Sequence, residues 1–376
     1  MLLIGAGLLI RSLFQLYAVS PGFDLANVLS LQAPNFAPQP RERQLQFTRE
    51  AIERMKTDPR VRSAASASSA PLAGAFAARR EVRVDGADSD ASVSAPVLVS
   101  RIVSSSYFET VGTPLLQGRT FRETDTQSAT QVVILSQPMA RFYFKDQDPV
   151  GKRLGLKQFN GQWSPWYQVA GVVGDTKAEG LDQDSKHTIY QPDTQATAQS
   201  TFLVRTSGSP DNVTTHVIES IRQLDPNRPV DHVQTLSEIR AESIAPQRLN
   251  AILIGLFAFL ALAIATVGVA GVLSFSVSQR TNEIGVRVAL GAARGSILAL
   301  ILREGALMAG IGLVAGGIAS IPLTRVLSGL LFQVNPMDPA TLAGASSVLL
   351  CVALAAAWIP ARRATRVDPM VALRRD

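Results

Sequence analysis

The sequence has few of the residues that crosslink small secreted proteins or bind metals. Its 376 residues include one cysteine, three histidines and only 6% aromatic residues. The single Cys351 cannot form an intramolecular disulfide, and no Cys/His cluster has the spacing of a zinc site. A disulfide scaffold and a structural zinc site are therefore excluded.

Motifs for nucleotide binding and hydrolysis are also missing. The chain has no G-x-x-x-x-G-K-[ST], no G-x-S-x-G elbow and no H-E-x-x-H pair. Gly151-Lys152 lacks the upstream glycine, because Asp146 stands there, and Gly5-Ala6-Gly7 lacks a third glycine at position 10. We expect the remaining candidates to be surface or loop residues: His187, His216, His232, Asp182 and Asp184. The sequence thus predicts no catalytic, cofactor-binding or metal-binding residues and no enzyme activity.

Charge is absent from three long segments, 249–279, 305–324 and 339–361. A helix rises about 1.5 Å per residue, so even twenty residues cross a hydrocarbon core of about 30 Å. We therefore predict transmembrane helices at about 249–277, 305–324 and 340–360, within a permease-like region spanning 247–376. These segments also lack the intramembrane acids and bases of ion-coupled carriers, so energy for any work must come from a partner.

The uneven distribution of arginines orients these spans. The net charge is +6 and the pI is about 9.8, and residues 249–376 hold ten basic and five acidic residues. Most of these arginines lie just after the first span and in the tail 361–376, whereas the loop 325–338 has no net charge. The positive-inside rule places the loop 278–296 and the tail in the cytoplasm. The basic excess therefore indicates a lipid membrane as partner and not a nucleic acid.

The first ten residues are apolar but cover only about 15 Å of helix. No basic residue precedes them, which is unlike a signal peptide. We interpret residues 1–18 as the outer end of a transmembrane helix that begins upstream. The chain is then expected to be the later part of a longer permease, or a reading frame started at an internal methionine.

Residues 19–246 have the mixed composition of a soluble α+β domain. The orientation of the spans places this domain outside the cytoplasm. Short β-branched or aromatic runs bounded by turn formers predict strands at 28–32, 96–103, 132–136, 167–174 and 202–205. Helices are predicted at 41–56, where the apolar residues have partial helical spacing, and at 106–111, 137–144, 211–224 and 236–245. Two breaks rich in proline and glycine, 70–75 and 151–165, either separate subdomains or form long surface loops.

Two patterns in the membrane region suggest contacts. Gly312, Gly316 and Ser320 recur every four residues, which favours close helix packing, either within this chain's own bundle or between subunits. In the loop, Thr281 or Asn282 can cap a short helix that begins near Glu283. Such a helix is too short to span, so it lies on lipid headgroups or docks into a groove of another protein.

Several motifs in order resemble those of the FtsX/MacB-type ABC transporter permeases. The strongest is QRTNEIGVRVALGA at 279–292, which resembles the coupling loop of that family. The others are GAGLLIRS at 5–12, PGFD at 21–24, YFET at 107–110, GRTF at 118–121, DPVGKRL at 148–154, REG at 303–305 and IPARRATRVDPMVALR at 359–374. Together they cover nearly the whole chain.

The resemblance implies a membrane α-helical permease with three full spans, a partial first span and a MacB-like periplasmic core domain of two α+β subdomains. It implies the bacterial inner membrane and a mechanism in which a separate ABC ATPase binds ATP and drives motion of the outer domain. The opening motif resembles the second half of eight-span permeases, so a second permease half or a homodimer is also expected. The implied ATPase-coupling residues are Arg280, Glu283, Ile284, Gly285, Arg287, Val288, Leu290 and Gly291.

Two other functions remain open from the sequence. A non-transporting signal or scaffold protein that regulates cell-envelope enzymes would have the same topology, and nothing in residues 19–246 separates it from a permease for export or efflux. A membrane-anchored enzyme ranks last because the chain lacks a catalytic constellation.

Overall fold

The computed structural model describes residues 1–35, 39–74, 76–85, 96–145, 147–158, 160–177, 180–182, 187–196, 201–280, 293–327, 332–335 and 338–364, with residues 283, 286 and 290. The chain forms two compact units. One combines Met1–Ala18 with Pro246–Asp376, and the other is Val19–Ala245.

The Val19–Ala245 unit is an α+β domain. Its helices are α2 Arg41–Met55, α3 Tyr107–Val111, α4 Gln137–Phe144, α5 Asp211–Arg222 and α6 Leu236–Ser243. Its strands are β1 Val28–Gln32, β2 Val61–Ala67, β3 Phe76–Arg79, β4 Val82–Val84, β5 Val97–Val103, β6 Leu115–Gly118, β7 Val132–Ser136, β8 Arg153–Leu156, β9 Tyr167–Val173, β10 His187–Pro192, β11 Thr201–Thr206 and β12 Asp231–Thr235.

All twelve described strands belong to one mixed sheet with the order β12-β1-β11-β2-β5-β10-β7-β9-β8-β4, and β3 and β6 pair with β5 and β9. The sheet carries two separate hydrophobic clusters. One packs β1, β2 and β11 against α2 and α5. The other packs β5, β10, β7, β9 and β8 against α4. Between the clusters, β2 and β5 pair only through Ala67 opposite Val103.

The five predicted strands are present, with ends that differ from the prediction by at most one residue. Each carries buried β-branched or aromatic side chains, as strands do when helices cover the sheet. The sequence analysis missed β2, because its residues after Val61 are mostly serine and alanine. It also took 151–165 as a break, although β8 lies inside it and pairs with β4 and β9.

The membrane unit is helical in its described part. It contains α1 Leu2–Ala18, α7 Ala245–Gln279, α8 Arg294–Leu327 and α9 Pro339–Ala364. Three segments are long and apolar enough to span a membrane: Ala245–Gln279, Leu298–Ser320 and Pro339–Trp358. Large apolar side chains such as Phe259 and Val267 are more than 70% exposed, as expected for surfaces that face lipid. The predicted fold class, three full spans with a shorter first helix and a large α+β domain, is confirmed.

The helices run further than the charge-free segments that predicted the spans. α8 begins at Arg294, within the predicted loop 278–296 and eleven residues before the predicted second span. α9 ends at Ala364, inside the predicted tail. Helices extend past the hydrocarbon boundary because backbone hydrogen bonding continues where charged side chains reach headgroups or water.

The short helix α1 packs on the start of α9. Asp338 Oδ2 accepts hydrogen bonds from the backbone N of Thr341, at 2.8 Å, and from its hydroxyl, at 2.6 Å, which caps α9. The same carboxylate forms an ion pair with Arg11 of α1. A Cβ on Gly7 would lie 2.8 Å from Thr341 Cγ2, so α1 approaches α9 closely at this glycine. The ion pair and the close contact at Gly7 thus hold α1 against the first turn of α9.

Candidate functional site

The α7–α8 loop exposes apolar side chains. Val286 is helical and 44% exposed, and Leu290 is in a turn and 82% exposed. The backbone N of Leu290 donates to the carbonyl O of Val286 at 3.0 Å, which places the two side chains on one face of a helical turn. An uncovered leucine beside an uncovered valine is what a surface that binds a partner or a membrane would present.

Only part of the predicted coupling set falls in the described chain. Arg280, Glu283 and Leu290 are described, and Glu283 is helical and exposed. The predicted Ile284, Gly285, Arg287, Val288 and Gly291 lie outside the described residues. The roles of all eight remain predictions.

The sequence analysis missed Val286. Three of the predicted coupling residues, Ile284, Val288 and Gly291, form an apolar or small-residue strip at helical spacing in the sequence. Val286 and Leu290 are also four apart, but about half a turn away from that strip. This second strip could have been found by counting apolar positions around the whole helix.

An ion pair joins the end of α7 to α8. Arg280 follows directly after α7, and its backbone N donates to Ser276 O at 3.2 Å, so it continues the last helical turn. Its Nη1 donates to Glu304 Oε1 of α8 at 2.7 Å. The structure thus places the predicted loop residue Arg280 against α8, a contact that the sequence analysis did not predict.

Three helices meet beside this ion pair. A Cβ on Gly305 would lie 3.0 Å from Ala357 Cβ of α9 and 3.4 Å from Leu273 Cδ1 of α7. We call Leu273, Gly305 and Ala357 the three-helix contact. Further along, buried Ile301 and Ala361 pack with Val277 and Leu298. The small residues allow the backbones to approach, so these helix ends are closely packed.

The predicted small-residue face of α8 is open in the described chain. A Cβ on Gly312 would meet nothing within 4 Å among the described residues, and one on Gly316 would meet only Met1 N at 3.9 Å. Ser320 is buried, and its hydroxyl donates to Gly317 O at 2.7 Å. The packing role of Gly312, Gly316 and Ser320 stays a prediction.

The three histidines lie in strands and a helix of the Val19–Ala245 unit. His187 stacks edge-on against Phe142, with ring centroids 4.7 Å apart, and burial lowers the pKa of His187. His216 Nε2 lies 3.2 Å from Arg54 O, and His232 is exposed in β12. Within the described ranges, no three His, Cys, Asp or Glu side chains are grouped so as to hold a metal ion.

Models of two protein families match the chain. The MacB-like periplasmic core domain matches residues 1–224, and the FtsX-like permease C-terminal domain matches residues 255–369. Together they cover both structural units. The match over residues 1–224 identifies the Val19–Ala245 unit as an extracytoplasmic domain.

Curated relatives are longer than this chain. A macrolide export ATP-binding/permease protein, MacB, from Neisseria gonorrhoeae is 30% identical over 291 residues, which are 73% of this chain and 43% of the relative. A pyoverdine export ATP-binding/permease protein, PvdT, from Pseudomonas aeruginosa is 27% identical over 282 residues, 70% of this chain and 40% of the relative. The chain therefore spans less than half the length of these relatives.

A crystal structure of the periplasmic region of MacB from Actinobacillus actinomycetemcomitans aligns with a TM-score of 0.39 and 15% identity. The alignment covers 59% of this chain and 94% of that chain.

Proposed function

This chain belongs to the FtsX/MacB-type permease family, and on that premise we propose that it is the permease component of an ABC transporter for export. In this proposal, an ATPase docks on the α7–α8 loop, and its ATP-driven motion passes through the membrane helices to the extracytoplasmic domain. ATP is bound by the ATPase and not by the residues described above.

The observation that carries the proposal is the exposed apolar surface of the loop. Val286 and Leu290 are exposed in the loop between α7 and α8. Exposing a leucine to water costs about 1.5 to 3 kcal/mol relative to burying it, so a partner that covers it gains free energy. Exposed Glu283 on the same loop supplies a charge that a basic partner residue can meet.

The composition of the membrane helices favours transmission of motion over passage of a substrate through them. The candidate spans hold few charged residues, so they offer no polar path for a soluble substrate or coupling ion. The proposal places the protein in the bacterial inner membrane, with the loop and tail in the cytoplasm. The open face at Gly312 is where we place a second permease half or a second copy of the chain.

The proposal is tested by co-purification of an ABC ATPase with the full chain at matched permease levels. We expect Leu290→Ser, Ile284→Ala, Glu283→Lys and Gly291→Leu to insert normally and to reduce ATPase recovery at least fivefold. Lipid binding depends on arginines and total apolar area, so it would tolerate Gly291→Leu. The control is Leu116→Ser, which removes an exposed leucine from β6 of the extracytoplasmic domain. Unchanged recovery in all four loop variants would contradict the proposal.

A further inference from the structure

The ion pair between Arg280 and Glu304 joins the end of α7 to α8, ten residues after α8 begins. The two residues are 24 positions apart, and their side chains meet at 2.7 Å where α7 ends and α8 runs past it. The pair therefore holds the end of α7, where the chain enters the loop, against a point about three turns inside α8.

Glu304 lies within the candidate span Leu298–Ser320. A carboxylate at a membrane boundary is costly unless it is paired, and Arg280 supplies the opposite charge. The two side chains are 52% and 32% exposed, so the pair adds little to folding stability where water screens it. The pair is therefore better explained by the way it positions α7 against α8 than by a contribution to folding stability.

The next residue, Gly305, belongs to the three-helix contact. Its hydrogen faces Ala357 of α9 and Leu273 of α7, and even one methyl group would lie only 3.0 Å from Ala357 Cβ. Any displacement of Glu304 must therefore move this contact. The ion pair connects the loop to α7, α8 and α9 through two consecutive residues.

We propose that Glu304 is a positioning residue that, with Arg280, ties the end of α7 to α8 beside the three-helix contact. Force applied to the loop then moves the three helices together and is not absorbed by stretching of the loop. The inference rests on the proposed function, since it requires an ATPase on the loop. It assigns Arg280 to transmission within the chain, whereas the sequence analysis placed it among the ATPase contacts.

The experiment separates binding of the ATPase from transmission. The full chain and its ATPase are reconstituted in lipid nanodiscs. ATPase recovery is measured beside the ATP-dependent change in fluorescence of a dye on Asp182→Cys, in a Cys351→Ser background. The variants are Glu304→Gln, Arg280→Gln and the exchange Arg280→Glu with Glu304→Arg. Arg303→Gln is the control, because it removes a charge at the adjacent, exposed position.

We expect Glu304→Gln to retain ATPase recovery within twofold, and we expect both Glu304→Gln and Arg280→Gln to reduce the ATP-dependent change at least fivefold. The exchange should restore at least half of it, because the two opposite charges are paired again, and Arg303→Gln should leave it unchanged. A normal change in Glu304→Gln overturns the inference, and so does a loss of ATPase recovery that parallels the loss of signal. Failure of the unaltered chain to bind any ABC ATPase would instead overturn the proposed function.

Discussion

Arg205 and Asp24 form an ion pair across the extracytoplasmic domain, with Arg205 Nη1 2.7 Å from Asp24 Oδ2. Arg205 Nε also donates to Thr110 O at 2.7 Å, and the backbone N of Asp24 donates to Val111 O at 2.8 Å. Gly112 ends α3 with a φ of 73°, and a Cβ there would lie 3.0 Å from Asp24 Cβ. The family motif at 21–24 thus joins the start of the domain to α3 and β11.

We expect Asp24→Asn to lower the free energy of unfolding by about 1 kcal/mol, because the pair is only partly shielded from water. Arg205→Met should cost more, since it also leaves Thr110 O without this donor. A double-mutant cycle, followed by tryptophan fluorescence during thermal unfolding, should give a coupling energy near 1 kcal/mol. Strict additivity of the two substitutions would show that the ion pair does not contribute.

Two glycines with the same backbone conformation allow a matched comparison. Gly22 has a φ of 83°, and a Cβ there would lie 1.7 Å from Asp175 O, whereas Gly161 has a φ of 80° with nothing within 4 Å among the described residues. Gly161→Ala should cost about 1 to 2 kcal/mol for the left-handed conformation alone. Gly22→Ala has the same conformational cost and must also displace the backbone at Asp175. We therefore expect this variant to lose its protease-resistant domain. Equal melting temperatures for the two variants would contradict this contact.

Asp193 lies where the two hydrophobic clusters of the sheet adjoin. Ser66 Oγ of β2 donates to Asp193 Oδ2 at 3.4 Å, and the backbone N of Asp193 donates to Val103 O of β5 at 3.0 Å. Burial raises the pKa of Asp193 to about 6, with a further rise from Glu123 and an opposing effect of Arg49. Arg49 also pairs with Glu123 at 3.3 Å.

This raised pKa predicts a dependence of stability on pH. Between pH 3.8, the ordinary value, and pH 6 the folded state binds more protons at Asp193 than the unfolded state. The free energy of unfolding therefore falls as pH rises through this window, and above it Asp193 causes no further change. Asp193→Asn should remove that slope and raise stability at pH 7.5 by about 2 kcal/mol. Thermal unfolding at pH 4.5 and 7.5 tests this, and an identical pH difference in variant and wild type would refute it.

The orientation of the chain can be tested by cysteine labelling. In a Cys351→Ser background, a membrane-impermeant maleimide added outside should label Asp182→Cys and leave Arg287→Cys unlabelled. The reason is the excess of arginine on the loop and tail side. Permeabilised cells, in which both should react, are the control. The reverse pattern would invert the topology and remove the basis for an ATPase on the loop.

The sequence by itself determined the spans and several strands. A hydrocarbon core excludes unpaired charge, so uninterrupted apolar segments identify membrane helices whatever surrounds them. Buried strands such as Val28–Gln32 and Val132–Ser136 were predicted to the residue, because β-branched runs between turn formers have few alternatives.

Tertiary structure decided the rest, because its contacts join residues that local patterns cannot relate. β2 is a strand although its residues after Val61 are mostly serine and alanine, since pairing with β11 and packing against α2 override weak propensity. Asp24 and Arg205 are 181 positions apart, and no periodicity connects them. Arg280 had a loop role in the sequence analysis, and only the approach of α8 to α7 shows its partner, Glu304. A side chain's composition and spacing limit what it can do, but its partner is set by how the helices and strands pack.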